Sequence, residues 1–535
     1  MTRYLVAADA DQIQNFLFRS SHLREVIGGS MLLTHFCENV GTNNKQNTII
    51  SVGGNFRLAF DSDAEAKRFL ENLAEQFRAE TGGTLTAVGP VEYQPDRPGD
   101  FSDKNKALQR TLQEAKLRRW GAEAVAHMPF MAFCASCGTE VAVHYTTPTP
   151  ELPAESQVKT YLCDSCIGKA AERSAQRDRF FDAFREAIQV IIVEQDLKSD
   201  HPLRSHPLGT PRDPADNIGR LDPAQYVGYI LADGNGMGKW FGASESKEML
   251  TERSTTLEAA MWASLAEPMA TLVERLEERM RVRGWLPIVP LIVGGDDLFA
   301  LVPARYALDI ARRIGEQFEK KLERETSGRA TMGLAVIICQ SHYPYALVHE
   351  RGEQLLKRAK QFGKKLDVSA VTFEVIVGNE LVGEKDQQGG YRSTLKPYWI
   401  GSAEKMSRTG GAGLALTVLL DQRLALKDLP GKRLAELRDL FDSAEVSEIR
   451  DDKDLARWTS RLNTLRQRIG SAKLDRALLK LGREDERGLD NIWRSVLRPD
   501  KKDPYSAHGM LDLIEMWDYA YNLDVLDIDY RPEAE

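Results

Sequence analysis

A Gly294-Gly295-Asp296-Asp297 segment lies between two short apolar runs, and it constrains the fold more strongly than any other feature of the chain. The runs 286–293 and 298–302 are typical of two β-strands joined by a tight turn. The glycines permit positive φ angles or close backbone approach in that turn. The sequence therefore predicts a β-hairpin that carries two adjacent carboxylates at its tip, where a divalent metal and nucleotide phosphates can bind.

A second acidic turn precedes this hairpin in the chain. Asp233 follows the apolar run 226–232 and begins the glycine-rich turn that continues to Gly238. Two-metal nucleotidyl transfer uses two Mg²⁺ or Mn²⁺ ions about 4 Å apart, bridged by acidic oxygens and in contact with a triphosphate. We therefore predict Asp233, Asp296 and Asp297 as catalytic residues and, together with Gly234, as ligands of two such ions. The alternative for either motif alone is an ordinary acidic turn.

These two motifs and their flanks resemble the active palm domain of the large subunit of type III CRISPR effector complexes, a relative of the GGDEF diguanylate cyclases. Ser341-His342-Tyr343-Pro344-Tyr345 is similar to a segment of that family, and residues 355–364 resemble its closing helix, which carries triphosphate-binding lysines. The resemblance covers most of the chain and is clearest between residues 226 and 376. It implies that the domain joins ATP molecules into cyclic oligoadenylates, in a complex with other effector subunits, crRNA and target RNA.

Nucleotide-binding residues are predicted from the glycine-rich turns and from the family resemblance. The glycine-rich turns, whose backbone amides can cradle phosphate oxygens, contribute Gly234, Asn235, Gly236, Gly238, Gly294 and Gly295, and the resemblance contributes Ser341, Lys360 and Lys364. For the two lysines the alternative is a solvated basic helix face, since Lys357, Arg358 and Lys365 are neighbours. For Ser341 and His342 the alternative is simply the end of a strand.

The chain also contains a weak internal repeat. Residues 1–125 show strand and helix patterns in the order β-α-β-β-α-β, which is ferredoxin-like, and residues 226–385 repeat that order. The first copy has Gly53-Gly54-Asn55-Phe56 where the second has Gly-Gly-Asp-Asp, so we expect no metal binding there. The resemblance agrees, because that family has a degenerate first palm and an active second palm. Two unrelated α/β domains are the alternative.

Four cysteines form two Cys-x-x-Cys pairs, Cys134 with Cys137 and Cys163 with Cys166. A single pair could be a redox centre, but two pairs suit one structural, tetrahedral Zn²⁺. We assign them to a zinc-knuckle and helical domain over residues 126–200. The remaining cysteines, Cys37 and Cys339, lie in apolar contexts typical of core residues.

The rest of the organisation follows from composition. Proline density over residues 201–225 predicts a linker without regular structure, and helical spacing predicts a C-terminal helical bundle over residues 386–535. The fold class is therefore α+β, with two palm domains, a zinc-binding insertion and a helical bundle. Net charge is −8, which argues against general nucleic-acid binding. We expect no membrane span and a cytoplasmic location.

Three functions remain open from the sequence. The favoured one is a cyclic oligoadenylate synthetase; the others are a catalytically idle scaffold in a crRNA-guided complex and a template-dependent polymerase. A stand-alone cyclase with a different product, such as an S-adenosylmethionine–AMP conjugate, is a further alternative. None of the nine histidines is followed by aspartate, so we expect no HD-type DNase centre in this chain.

Overall fold

The structure is a computed structural model, and it describes residues 2–11, 13–19, 23–118, 131–147, 159–171, 181–209, 214–280, 284–327, 330–377, 391–401, 413–482, 492–497 and 504–525. The strands are β1 Arg3–Asp11, β2 Thr48–Val52, β3 Asn55–Phe60, β4 Thr84–Tyr93, β5 His144–Thr146, β6 Thr160–Leu162, β7 Tyr226–Asn235, β8 Val289–Gly294, β9 Asp297–Pro303, β10 Thr331–Gln340, β11 Ser369–Val375, β12 Tyr391–Arg392, β13 Tyr398–Ile400, β14 Arg494–Leu497 and β15 Pro504–Ala507. The helices are Ile13–Phe18, Leu23–Asn43, Asp63–Thr81, Asp100–Arg118, Asp182–Glu194, Pro202–Ser205, Pro214–Gly219, Met237–Gly242, Lys247–Ala266, Met269–Met280, Ala304–Tyr306, Ala307–Thr326, Tyr345–Leu366, Leu416–Ala425, Gly431–Phe441, Ser443–Ser447, Asp452–Ile469, Ala472–Lys480 and Met510–Glu515.

The first palm is the predicted ferredoxin-like domain. Its sheet has the order β2-β3-β1-β4, with antiparallel pairing throughout. Apolar side chains from the sheet and from its helices fill one core, in which the rings of Phe36 and Phe77 meet edge to face at 5.1 Å. The helix Ile13–Phe18 behaves differently, because Phe18 stacks on His349 of the second palm at 3.8 Å between ring centroids. That helix therefore packs between the palms rather than only against its own sheet.

The second palm has a six-stranded sheet in the order β13-β11-β10-β7-β9-β8. Its four-strand core repeats the first palm, and the helix Tyr345–Leu366 leads into β11, which pairs parallel with β10. Helices cover both faces of this sheet, so β7 is buried along almost its whole length. The predicted fold class, with two ferredoxin-like palms, is confirmed. Pro268 separates the helices Lys247–Ala266 and Met269–Met280.

The cysteine-containing insertion is docked onto the first palm by buried and half-buried polar contacts. Arg19 forms an ion pair with Glu140, and Ser136 donates a hydrogen bond to Glu25. Lys169 is fully buried, places its ammonium 4.2 Å from the Phe16 ring centroid and donates to the Phe16 carbonyl. Burial lowers the pKa of Lys169 to about 8. Residues 126–130, 148–158 and 172–180 of the predicted zinc-knuckle and helical domain lie outside the described residues.

Two predictions about the remaining segments need correction. Residues 201–225 are not free of regular structure, because Pro202–Ser205 and Pro214–Gly219 form short helices. Proline is tolerated in a first helical turn, where its missing N–H is not needed. The C-terminal region is mainly helical but is not only a bundle, since β12, β15 and β14 form a small sheet. Moreover, β13 pairs with β11, so the second palm extends beyond residue 385.

No helix in the described part of the chain is both long enough and apolar enough to cross a membrane.

Candidate active site

The hairpin β8–β9 brings the three predicted aspartates together. In the ladder Gly294 is opposite Asp297, which leaves Gly295 and Asp296 as the two-residue turn. Gly295 has a φ of 61°, which favours glycine at this turn position. Asp297 is also opposite Asp233 of the neighbouring strand β7. One oxygen from each of Asp233, Asp296 and Asp297 lies within 4.8 Å of the others.

The cluster carries more negative charge than its surroundings neutralise. Burial, and then repulsion from Asp233, raises the pKa of Asp296 to about 7. Enclosure, and then repulsion from Asp296 and Asp233, raises the pKa of Asp297 well above its usual range, although its side chain remains exposed. Clustered carboxylate oxygens are the ligands that Mg²⁺ and Mn²⁺ prefer. The donor set therefore fits divalent metal ions.

Lys360 is the cation of this cluster. It lies on the helix Tyr345–Leu366, which covers the face of the sheet to which Asp233 points, and its ammonium forms an ion pair with Asp233. Gly333 of β10 makes this approach feasible, because a Cβ there would lie 2.4 Å from Cγ of Lys360. Lys364 is one turn further along the same helix and is exposed. No local pattern indicated that Gly333 matters, since it stands inside an ordinary apolar run.

The glycine-rich turn after Asp233 is partly occupied by internal hydrogen bonds. The Gly234 amide donates to the carbonyl of Asp296 at 3.2 Å, which does not favour its predicted role in cradling a phosphate. Gly236 has a φ of 77° and precedes the helix Met237–Gly242, in which Gly238 is exposed. Asn235 is buried and donates to Thr331 at 3.2 Å. Asn235 therefore points into the protein and not toward a sugar on the open side.

Ser341 and His342 lie at the other end of the second palm. Strands β7 and β10 are antiparallel, and Thr331 is opposite Asn235 at the acidic end while Gln340 is opposite Tyr226 at the far end. A strand of ten residues spans about 30 Å. Ser341 is buried next to Gly219, and its amide donates to the carbonyl of Gln225. This position does not favour a role for Ser341 in nucleotide binding, and that role stays a prediction.

The first palm keeps part of the same arrangement. Asp9 of β1 is opposite Asn55, as Asp233 is opposite Asp297, and Lys116 pairs with Asp9 at 2.7 Å, as Lys360 pairs with Asp233. The register matches Asn55 to Asp297 and Gly54 to Asp296, which differs by one residue from the alignment of the two Gly-Gly motifs. Sequence reasoning missed Asp9, although an apolar run ends in Ala-Asp in both palms.

A cavity of about 220 Å³ lies between the palms beside the two hairpin turns. The first palm contributes His35, Glu38 and Gly53 to its wall, and the second palm contributes Glu258, Trp262 and Val293. Burial, and then repulsion from Glu38, raises the pKa of Glu258. Because its walls come from distant parts of the chain, no local sequence pattern could have indicated this cavity.

The four cysteines converge as predicted. Their Sγ atoms lie within 4.8 Å of one another, and Sγ of Cys137 is 3.9 Å from Sγ of Cys163. A tetrahedral Zn²⁺ with bonds of about 2.3 Å requires sulfur–sulfur distances of about 3.8 Å. The four thiols are buried, so the site fits a closed structural metal ion.

Comparison with known proteins identifies the second palm. Residues 226–368 match the family model "Cas10/Cmr2, second palm domain". None of the curated proteins compared matches this chain. Among solved structures, Csm1 of T. onnurineus is similar with a TM-score of 0.50 and 16% identity, covering 97% of this chain and 70% of its own length.

Two further solved structures are similar over much of the chain. A Csm1–Csm4 cassette in complex with cA3 has a TM-score of 0.50 and 14% identity, and covers 96% of this chain and 69% of that one. A Csm1–Csm4 cassette in complex with cA4 has a TM-score of 0.48 and 14% identity. The match covers 86% of this chain and 64% of that chain. The predicted resemblance to the large palm-domain subunit of type III CRISPR effector complexes is confirmed.

Proposed function

Because residues 226–368 form a second palm domain of the Cas10/Cmr2 family, we propose that this chain is a nucleotidyltransferase that joins ATP molecules into a 3′–5′ linked cyclic oligoadenylate. We further propose that it works in a type III CRISPR effector complex, with partner subunits and crRNA, and that target RNA triggers it. The observation that carries the proposal is the cluster of Asp233, Asp296 and Asp297 within 4.8 Å, with Lys360 as the adjoining cation.

In the proposed reaction the 3′ oxygen of one ATP attacks the α-phosphorus of another. An oxygen–phosphorus bond forms, the bond to the β-phosphate breaks, pyrophosphate leaves, and the proton of the hydroxyl passes to solvent. When bound, two Mg²⁺ or Mn²⁺ ions lower the pKa of the hydroxyl and neutralise the leaving group. Asp233 and Asp296 would hold both ions, and Asp297 would support one of them.

Lys360 has a second role in this proposal. In the metal-free cluster its ammonium is the partner of Asp233. Once the aspartate binds metal, the ammonium is free to bind the triphosphate as a compact point charge. Lys364 is exposed one turn along the same helix, and in this proposal it contacts the same phosphates from the solvent side.

The cavity between the palms supports a reaction of two nucleotides rather than one. It adjoins the catalytic turn through Val293 and presents Trp262 and carboxyl groups from both palms. An aromatic face can stack on a nucleobase, and carboxyl groups can bond to its amino edge or to ribose hydroxyls. A solved relative of the same fold binds cA3, which is in keeping with an adenine nucleotide as substrate.

The test is product formation from each labelled nucleoside triphosphate with Mg²⁺ or Mn²⁺, alone and with partner subunits, crRNA and target RNA. We expect a cyclic product from ATP, lost in the double variant Asp296→Asn/Asp297→Asn. The matched control is Asp9→Asn, which removes the equivalent carboxylate of the first palm and should leave the product unchanged. Wild-type synthesis by the double variant would refute the proposed site. Failure of the complete complex to use any nucleotide would favour the scaffold function.

A further inference from the structure

The turn of the degenerate first palm lies directly against the turn of the acidic hairpin. A Cβ on Gly53 would lie 3.3 Å from the carbonyl carbon of Gly294 and 3.4 Å from its Cα. Conversely, a Cβ on Gly294 would lie 3.1 Å from Cα of Gly53. The two backbone segments are therefore in direct contact. A side chain at Gly53 or Gly294 would have to displace one of the two segments.

The Gly53–Gly54 turn of the first palm is tightly packed within its own domain. Gly54, beside Gly53, packs so closely on Ala10 and Ile13 that a Cβ would lie 2.8 and 2.9 Å from their side chains. The Gly54 amide donates to Sγ of Cys37 on the helix Leu23–Asn43, and its carbonyl accepts from the amide of Ala10. The turn is thus fastened to a strand and a helix of its own domain, and it presents a fixed surface to the second palm.

The acidic turn, in contrast, has few other supports. Gly295 and Asp296 form its tip, and no atom among the described residues lies within 4 Å of the position a Cβ on Gly295 would take. Its internal support is the bond from the Gly234 amide to the Asp296 carbonyl. Gly53 is therefore a close contact from the first palm at the start of this turn, next to Gly295 and Asp296.

We propose that the Gly53–Gly54 turn is a positioning element that holds Asp296 at metal-binding distance from Asp233. The inference rests on the proposed function of the acidic cluster. It gives the first palm, in which we expect no metal binding, a task in catalysis. A movement of the first palm would reach the catalytic carboxylates through this contact.

Other contacts hold the two palms together. Thr251 of the second palm donates to the carbonyl of Ile49, and Leu250 lies in a core shared with Leu5 and Leu108 of the first palm. Crowding at Gly53 should therefore shift the hairpin tip without separating the domains.

The experiment compares Gly53→Ala with Gly99→Ala. Both glycines belong to the first palm and have positive φ angles, 58° and 81°, but a Cβ at Gly99 meets no atom within 4 Å among the described residues. The control therefore reproduces the backbone strain of alanine without the contact. We would measure Mn²⁺ affinity without nucleotide, kcat and KM for ATP, and Tm.

For Gly53→Ala we expect about tenfold weaker Mn²⁺ binding and about tenfold lower kcat, because sub-ångström misplacement of catalytic groups has effects of this order. KM for ATP and Tm should match those of Gly99→Ala. Gly294→Ala provides the reciprocal test if Gly53→Ala does not fold, since Gly294 lacks a positive φ and its Cβ would meet only Gly53 among the described residues.

Mn²⁺ affinity and kcat equal to those of Gly99→Ala would overturn the proposal. Metal binding is read without any product, so the two proposals fail separately. If the wild type makes no oligoadenylate but Gly53→Ala still binds Mn²⁺ more weakly than Gly99→Ala, the positioning contact stands and the synthetase function falls.

Discussion

Replacing Asp296 with asparagine should stabilise the metal-free protein at pH 8. Folding buries Asp296 and brings it next to Asp233, and this raises its pKa from 3.8 to about 7. At about 1.4 kcal/mol per pKa unit, this shift corresponds to a destabilisation of the folded protein by at most about 4 kcal/mol. The side chain is only half-buried, so solvent screening reduces the expected gain to about 1–2 kcal/mol.

The sign of the pH dependence follows from the raised pKa. The folded protein holds a proton on Asp296 that the unfolded chain releases above pH 4, so the cost of the cluster grows between pH 4 and 7 and is complete above pH 7. The gain from Asp296→Asn should therefore be largest at pH 8, fall to roughly half at pH 5.5, and vanish below pH 4.

Urea unfolding in a chelator, at pH 8 and pH 5.5, measures this gain. Asp9→Asn is the control, because Asp9 pairs with Lys116; we expect it to lose stability slightly. Saturating Mn²⁺ should reverse the order and stabilise the wild type more than Asp296→Asn. A gain that is absent at pH 8, or equal at both pH values, would refute the electrostatic account of the cluster.

Three other predictions concern separate parts of the chain. Cys163→Ser should lower zinc content, measured by mass spectrometry, and loosen the insertion while the aspartates still bind Mn²⁺; wild-type protein without stoichiometric zinc would contradict this. Lys360→Ala should raise KM for ATP and keep measurable turnover at high ATP, yet strengthen Mn²⁺ binding in calorimetry without nucleotide, because Asp233 loses its competing ammonium. Ser341→Ala should leave synthesis and KM unchanged, since Ser341 lies about 30 Å from the cluster along β10; a rise in KM would restore its predicted role.

Local patterns in the sequence were sufficient for the parts of the site that depend on neighbouring residues. Apolar runs on both sides of Gly294-Gly295-Asp296-Asp297 predicted the hairpin, and the structure pairs Gly294 with Asp297. The strand ending at Asp233 was predicted for the same reason. The cysteine pairs converge because each Cys-x-x-Cys turn presents two thiols at one point.

Longer-range geometry could not be predicted in this way. Ser341 follows a strand that runs away from the acidic end, and only the antiparallel pairing of β7 with β10 reveals its distance. Asn235 was predicted in the turn, but its side chain is buried against Thr331. Similarly, the sequence motif aligned Asn55 with Asp296, whereas the hydrogen-bond register matches Asn55 to Asp297.

The two palms neutralise the carboxylates at the equivalent position in different ways. In the first, one carboxylate, Asp9, is neutralised by one ammonium, Lys116, at 2.7 Å. In the second, the single ammonium of Lys360 lies beside three carboxylates. This leaves about two negative charges that divalent ions can neutralise. Because we expect this excess of negative charge in the second palm and not in the first, bound Mn²⁺ should stabilise the second palm. In our proposal, the Gly53 turn of the first palm then helps to hold the acidic turn of the second palm in place.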